Sequence, residues 1–250
     1  MAEDTVLLLG HGSRDSDAVR EFSAFTEFFK KETGRSLVFP AYLELASPPI
    51  FEAIHQAVLS GAKRIFALPL FLFPGRHVLE DLPRILRDAK ARFQDVEIFY
   101  GNPLDQHHAV MKLAAHRISE TPPLPTPPDR TGLLVVGRGT LEPKAMDATA
   151  RMAKRLQPYF SYSHVRHCFA EVSPPYLPSA LDELLAAGAL GVVIFPALLF
   201  TGIIIQRIER QVELLRKKHP ATPIALAPYL GVHPFLVDAV QDQIPLCSPI

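Results

Sequence analysis

The chain has 250 residues, of which 48% are hydrophobic and 21% are charged, a composition typical of a globular protein with a sizeable core and not of a disordered chain. Lysine and arginine together number 26, as do aspartate and glutamate, so no overall field draws the protein to nucleic acid or to an anionic membrane. Two cysteines, Cys168 and Cys247, are too few for a disulfide framework and fit a reducing cytoplasm.

The sequence suggests neither a secretory signal nor a membrane-spanning segment. The first residues lead into a short apolar run without the basic segment and the hydrophobic stretch of about 7–15 residues that a secretory signal needs. The longest apolar segment, residues 190–205, contains glycines and a proline and falls short of the roughly 20 residues that cross a bilayer. We therefore expect a cytoplasmic protein with no membrane partner.

Short β-rich runs alternate with longer runs of helical period. In the first half, strands are predicted at residues 5–9, 37–43, 64–70 and 97–100, and helices at 15–32, 49–60, 78–92 and 106–117. In the second half, strands are predicted at residues 132–136, 163–169, 191–196 and 224–227. This alternation predicts βαβ units, and hence an α/β fold with parallel sheets.

The chain also repeats itself. Leu-Leu-Leu-Gly-His-Gly-Ser at 7–13 aligns with Leu-Val-Val-Gly-Arg-Gly-Thr at 134–140, and at the same offset Glu44 aligns with Glu171. An ordered series of such matches indicates a duplicated domain.

Residues 121–128, with five prolines in eight positions, separate the two copies. Such a run disfavours helix and central strand and favours an extended connector. We predict an N-terminal domain at 1–120, a linker at 121–129 and a C-terminal domain at 130–250. Each is expected to be a doubly wound, flavodoxin-like domain with a four-stranded parallel sheet, and the two domains are expected to face a central cleft.

Polar side chains gather where the predicted strands of the first half end. His11 follows strand one, Glu44 ends strand two, and His77 lies in the loop after strand three. Ligands of open parallel sheets bind at the carboxyl ends of the strands. Two imidazoles and a carboxylate suit a divalent transition metal better than magnesium or calcium. Each residue alone could instead be a hydrogen-bonding loop residue, and convergence is what favours a metal site.

The loop at residues 10–15, Gly-His-Gly-Ser-Arg-Asp, turns from a strand into a helix. Its backbone N–H groups, with Ser13 and Arg14, could hold an anion at the helix N-terminus. The alternative is structural: the glycines permit the turn, and Ser13 or Asp15 caps the helix.

The segment at residues 71–77, Phe-Leu-Phe-Pro-Gly-Arg-His, combines apolar bulk with an arginine and a histidine. It suits a large flat ligand with an apolar face and an acidic periphery, although its apolar residues could equally belong to the core.

The second half serves as an internal control. It keeps the glycines and Glu171 but has Arg138 in place of His11 and Ile204 in place of His77. The residues kept in both halves are therefore expected to support the fold, and the two histidines present only in the first half are expected to carry the chemistry. Other histidines are given structural roles: His107 and His233 match across the repeat, and the pair at 164 and 167 is expected to be solvated or capping.

Three motifs carry a resemblance to a known family: Leu-Leu-Gly-His-Gly-Ser-Arg at 8–14, Tyr-Leu-Glu-Leu-Ala-Ser-Pro at 42–48, and Pro-Leu-Phe-Leu-Phe-Pro-Gly-Arg-His at 69–77, followed by Asp81 and Pro83. With them the chain resembles the class II chelatases, most closely the two-domain sirohydrochlorin chelatases, over nearly its full length.

The resemblance implies insertion of a divalent metal into sirohydrochlorin, with cobalt favoured and iron or nickel as alternatives. It implies that His11 and His77 are metal ligands, that His11 is also the proton acceptor, and that Glu44 is a third ligand or a proton relay. The tetrapyrrole site would be lined by Ser47, Leu72, Phe73, Pro74, Gly75 and Arg76. Residues 130–250 would form the opposing wall of one active site, in a monomer or alternatively a dimer.

The chemistry is consistent with these side chains, because insertion requires a base that titrates near working pH beside the metal. Sirohydrochlorin carries carboxylates around its rim, so arginines are candidates to grip it. They are Arg14, Arg76, Arg138 and Arg207. No nucleotide is implied, since no Walker-type sequence occurs.

Three other functions remain open at this stage. Two histidines and a glutamate could hold the zinc-bound water of a metal-dependent hydrolase. Two α/β lobes could form a non-catalytic module that binds an anionic ligand. A phosphatase is the third, but it would need an arginine directly before His11, where the chain has Gly10.

Overall fold

The computed structural model describes residues 4–250, apart from the side chain of Lys144. Residues 1–3, on which the expectation of no secretory signal partly rests, lie outside this range. The chain divides into two compact units, one formed by residues up to Ala109 together with Val232–Ile250, the other by Val110–Gly231.

Strands and helices alternate along both halves, as the sequence predicts. In chain order they are β1 (Thr5–Gly10), α1 (Ser16–Thr33), β2 (Val38–Tyr42), α2 (Ile50–Leu59), β3 (Arg64–Pro69), a π-helical turn (His77–Asp81), α3 (Leu82–Arg92), β4 (Glu97–Tyr100), α4 (His108–Ser119), β5 (Thr131–Gly137), α5 (Pro143–Leu156), β6 (His164–Phe169), α6 (Leu177–Ala186), β7 (Gly191–Pro196), α7 (Ile203–Lys218), β8 (Ile224–Leu226), α8 (Pro234–Gln241) and β9 (Ser248–Pro249). Among the described helices, none is both long and apolar enough to cross a membrane.

Each unit is built on one sheet, and the predicted α/β fold with parallel strands is confirmed. The second sheet has four parallel strands in the order β6-β5-β7-β8, and the first has β2-β1-β3-β4 in the equivalent order. The first sheet differs from the prediction in one respect: β9 adds a fifth strand, antiparallel to β4. Two residues, one of them a proline, carry too little pattern for a strand to be predicted.

The central strands are buried along almost their whole length because helices cover both faces of a parallel sheet. Every residue of β1, β5 and β7 is buried. On one face of the first sheet, Leu7 and Leu9 pack in a cluster with apolar residues of α2 and α3. Helix α1 buries Phe22, Phe25 and Phe29, which share one side of the helix at its natural spacing.

The compact units follow a different division of the chain from the sequence repeats. The C-terminal segment joins the first unit, where Asp242 pairs with His107 at 3.4 Å and the side-chain oxygen of Gln243 accepts from the Asn102 N–H at 2.8 Å. Conversely, Arg117 of α4 donates to the Leu230 carbonyl in the second unit at 2.9 Å. The terminal helices of the repeats are thus exchanged between the compact units.

Candidate functional site

The three polar residues predicted to converge do lie at neighbouring strand ends. His11 follows β1, Glu44 comes two residues after β2, and His77 opens the π-helical turn after β3. The β1–β2 ladder continues past both strands, since the Glu44 N–H donates to the His11 carbonyl at 3.0 Å. This backbone pairing places the His11 and Glu44 side chains next to each other.

Gly12 makes that close pairing possible. Its φ is +88°, in the left-handed region that favours glycine, and a Cβ added here would overlap the carbonyl oxygen of Glu44. Gly139 repeats the arrangement in the second unit, with a φ of +101° and the Glu171 carbonyl in the same place. Both glycines are therefore fixed by the scaffold, whichever side chain precedes them.

The side chains of the first unit form a compact polar cluster. His11 Nε2 lies 3.5 Å from Glu44 Oε1, and the rings of His11 and His77 meet edge to face with centroids 4.9 Å apart. His11, His77 and Glu44 are 31%, 42% and 51% exposed, so the cluster is open to small molecules. Among the described residues, no three His, Cys, Asp or Glu side chains already stand in the geometry of a bound metal, this cluster included.

The hydrogen bond at the other nitrogen of His11 determines what Nε2 can do. His11 Nδ1 lies 3.1 Å from the Gly12 carbonyl oxygen, which can only accept, so Nδ1 carries the hydrogen in this contact. In the neutral ring Nε2 is then a lone pair, and it faces a carboxylate oxygen at 3.5 Å. Two acceptors opposed in this way leave a place for a cation or a proton between them.

Asp81 is a further functional candidate, to which the sequence motifs assign no role. Its Oδ2 lies 2.9 Å from His77 Nδ1. This hydrogen bond, with the positive charges of Arg76 and Arg84 nearby, holds the pKa of Asp81 below its ordinary value. The signal in the sequence was the spacing of four residues between a histidine and an aspartate, which places both on one helical face.

The position equivalent to His11 in the second unit carries an arginine, Arg138. Arg138 Nε lies 3.3 Å from Glu171 Oε1, and Arg207 pairs with the other oxygen of that carboxylate. Ile204, which replaces His77, packs against the hydrophobic cluster of the unit. Arg138 thus replaces one histidine and shares Glu171 with Arg207, and the partly buried Ile204 replaces the other histidine.

Comparison with known proteins identifies the family of the chain. The CbiX family model matches the chain twice, at residues 5–121 and 132–245. The chain belongs to the CbiX family.

Similar proteins span almost all of it. A sirohydrochlorin cobaltochelatase of Priestia megaterium is 30% identical over 96% of this chain and 78% of its own. A sirohydrochlorin ferrochelatase of Bacillus subtilis is 29% identical over 97% and 91%. The solved structure of SirB from Bacillus subtilis with Fe3+ superposes with a TM-score of 0.84 at 29% identity, over 97% of this chain and 94% of that one.

In this CbiX-family chain, the loop after β1 is a helix cap. Ser13 Oγ accepts from the Asp15 N–H at 3.0 Å, and Asp15 Oδ1 accepts from the Asp17 N–H at 2.9 Å. The capping role weighed for Ser13 and Asp15 is confirmed for Asp15, and Ser13 stabilises the turn before it. The side chain of Arg14 is exposed.

The segment after β3 lies beside the cluster, with the Phe71 ring 6.4 Å from the His11 ring. Leu72 is only 7% exposed and offers the least surface of the predicted lining residues. Phe73, Pro74 and Gly75 are partly exposed, while Ser47 and Arg76 are exposed. Arg76 also lies 3.5 Å from Glu80, so a ligand carboxylate would compete with that exposed ion pair.

The remaining histidines have structural surroundings. His107 and His233 each accept a backbone N–H two residues on, at 3.2 and 3.1 Å, so the structural role predicted from their match across the repeat is confirmed. His164 and His167 are half-buried on β6: His164 Nδ1 is buried, and His167 packs on Phe169 with a pKa lowered by burial. Helices α5 and α6 pack against this strand, and both histidines remain partly exposed.

Proposed function

We propose that this protein inserts a divalent transition metal into sirohydrochlorin. The observation that carries the proposal is the pair of acceptors His11 Nε2 and Glu44 Oε1, 3.5 Å apart, with the ring of His77 edge-on to His11. Similarity to sirohydrochlorin cobaltochelatases and ferrochelatases over nearly the whole chain supports the choice of substrate.

The metal is a substrate, held first by His11, His77 and Glu44. Imidazole and carboxylate ligands suit divalent cobalt, iron and nickel. A partly exposed set of three ligands leaves coordination positions for water, which pyrrole nitrogens then replace. An open set of ligands of this kind is typical of sites where the metal takes part in the reaction, in contrast to the closed shells of structural metals.

His11 is then the proton acceptor. Metal insertion releases the protons of two pyrrole N–H groups, and histidine is the side chain that most often accepts protons in enzyme reactions. As the metal leaves, Nε2 of His11 is free to take a proton, and the adjacent Glu44 stabilises the imidazolium that results. Glu44 is half exposed, so it can pass the proton to solvent.

The tetrapyrrole is held by the apolar segment at residues 72–75 and by polar side chains. Phe73 and Pro74 provide apolar surface for the ring, and Ser13 and Ser47 provide hydroxyls. Arg14, Arg76 and Arg138 are the cations that bind its carboxylates.

The ligand set does not distinguish cobalt from iron or nickel, since nitrogen and oxygen donors follow the general affinity order. We favour cobalt, with iron and nickel as alternatives. The two cysteines do not alter this choice, because burial raises the pKa of both thiols, that of Cys247 to about 11, so neither offers a thiolate. Free thiols also fit a cytoplasmic enzyme, which we propose acts as a monomer, or alternatively as a dimer.

Spectroscopic assay of metal insertion tests the proposal directly. Purified protein is mixed with sirohydrochlorin and Co2+, Fe2+ or Ni2+ in turn, under anaerobic conditions, and the visible spectrum is followed for the metallated product. We expect insertion well above the spontaneous rate, with the highest kcat/KM for cobalt. A rate equal to the protein-free control for all three metals would overturn the proposed function, and a higher kcat/KM for iron would overturn the choice of metal alone.

Replacing Arg138 by alanine tests its predicted contact with the substrate. We expect the KM for sirohydrochlorin to rise about tenfold, the equivalent of roughly 1.4 kcal/mol, with kcat little changed. Glu171 keeps its pairing with Arg207, so the variant should fold normally.

Arg166→Ala is the matched control for Arg138, because Arg166 is an exposed arginine of the same unit, on β6. It should leave KM as in the wild type. The assignment of Arg138 fails if its own replacement leaves both KM and kcat unchanged.

A further inference from the structure

The π-helical turn at His77–Asp81 ties a histidine to a carboxylate. Asp81 Oδ2 lies 2.9 Å from His77 Nδ1, and the Asp81 side chain is only 19% exposed. Asp81 stands at the N-terminus of α3 but its side chain makes no capping hydrogen bond there. Its principal hydrogen bond is therefore to the imidazole and not to the helix that it precedes.

This contact decides which nitrogen of His77 is available. An ionised carboxylate only accepts hydrogen bonds, so Nδ1 of His77 must carry the hydrogen, and in the neutral ring Nε2 is left with the lone pair. His11 reaches the same state through the Gly12 carbonyl, 3.1 Å from its Nδ1. Both rings thus present Nε2, the nitrogen that a shared metal ion would need.

The turn around Asp81 is held in place from outside. The Tyr100 hydroxyl donates to the Val78 carbonyl at 2.9 Å, and Arg84 lies 3.6 Å from the second oxygen of Asp81. Single π-helical turns often occur at functional sites, where the wider backbone turn repositions a side chain. Here the turn fixes the imidazole and its carboxylate as one unit.

We propose that Asp81 is a positioning residue for metal insertion, which holds His77 in the Nδ1–H tautomer and orients its Nε2 toward the metal. The inference rests on the proposed function, because it adds a second contact behind one of the proposed ligands. Such outer hydrogen bonds to metal-binding histidines contribute about 10–100-fold in metal affinity.

Asp81→Asn is the decisive variant. The amide has the shape of the carboxylate but can either accept from Nδ1 or donate to it, so it keeps the packing and removes the selection of one tautomer. We expect Co2+ to bind the metal-free protein about 10-fold more weakly, measured by its visible absorption in the absence of tetrapyrrole. In the insertion assay the KM for cobalt should rise with that for sirohydrochlorin unchanged. Asp81→Ala should lose at least as much affinity.

The tautomer itself is measured by long-range proton–nitrogen NMR of ring-labelled histidine, with the His77→Ala variant for assignment. The wild type should show His77 protonated at Nδ1, and Asp81→Asn a mixture. Asp88→Asn, an exposed carboxamide change further along α3, should match the wild type in tautomer and in Co2+ affinity.

The outcomes separate the two proposals. Wild-type His77 protonated at Nε2, or unchanged Co2+ affinity in Asp81→Asn, overturns the role of Asp81 even if the wild type inserts cobalt. If the wild type inserts no metal but the tautomer and Co2+ binding respond as expected, the proposed reaction is wrong and the positioning of His77 stands. Should Asp81→Ala fail to fold, the wild-type tautomer and the near-isosteric Asn variant still decide the matter.

Discussion

Replacing His11 by alanine is expected to abolish the acceleration of metal insertion. The substitution removes a proposed metal ligand and the proposed proton acceptor together, while Glu44 keeps its backbone pairing to residue 11. General base catalysis alone contributes about 10²–10⁴-fold, so kcat should fall at least 100-fold, toward the spontaneous rate. The measurement is the initial rate of Co2+ insertion into sirohydrochlorin at saturating concentrations of both substrates.

The matched control for His11 is His55→Ala. His55 belongs to the same unit, is exposed on α2, and stacks on Phe93 with ring centroids 6.0 Å apart. Its loss should leave the rate and Co2+ affinity unchanged. A His11→Ala protein that folds and still accelerates insertion would show the site assignment to be wrong, even with the fold and the family correct.

Much of this site was predictable because strand ends in a parallel sheet are predictable. Once β1, β2 and β3 are recognised, the residues that follow them must share one edge, which brings His11, Glu44 and His77 together. The internal repeat indicates which of these residues carry the chemistry, because the second half retains the glutamate as Glu171 but has Arg138 at the position of His11.

The features that escaped prediction depend on longer-range or finer geometry. Strand β9 is two residues long, and its pairing with β4 is decided by where the C-terminal segment docks, which local pattern does not encode. The exchange of terminal helices is invisible for the same reason, since each helix has the same amphipathic pattern whichever unit it joins. The spacing of His77 and Asp81 places both on one helical face, but it does not show that the Asp81 side chain bonds the imidazole instead of capping α3.

Gly12→Ala is expected to damage both stability and activity. At a φ of +88° an alanine is strained by about 1–2 kcal/mol, and its Cβ would overlap a backbone atom, the Glu44 carbonyl oxygen, which adds about 1–3 kcal/mol for overpacking. The loop must shift to relieve the overlap, and this shift moves His11 away from Glu44. A displacement of about 1 Å can cost roughly 100-fold in rate, so we expect a loss of that order in kcat together with a clear fall in Tm.

Alanine substitutions at two other glycines distinguish the effect of backbone strain from that of misplacing the site. Gly34 has a φ of +69° at the end of α1, and a Cβ added there would meet no atom within 4 Å, so Gly34→Ala should cost only about 1 kcal/mol and leave kcat unchanged.

Gly139→Ala reproduces the overlap of Gly12→Ala, but against Glu171 in the second unit. It should lower Tm comparably and raise the KM for sirohydrochlorin through Arg138, while Co2+ affinity stays at the wild-type value. Equal loss of Co2+ affinity in Gly12→Ala and Gly139→Ala would mean that the metal does not bind at His11, because only the first of these changes acts on its loop.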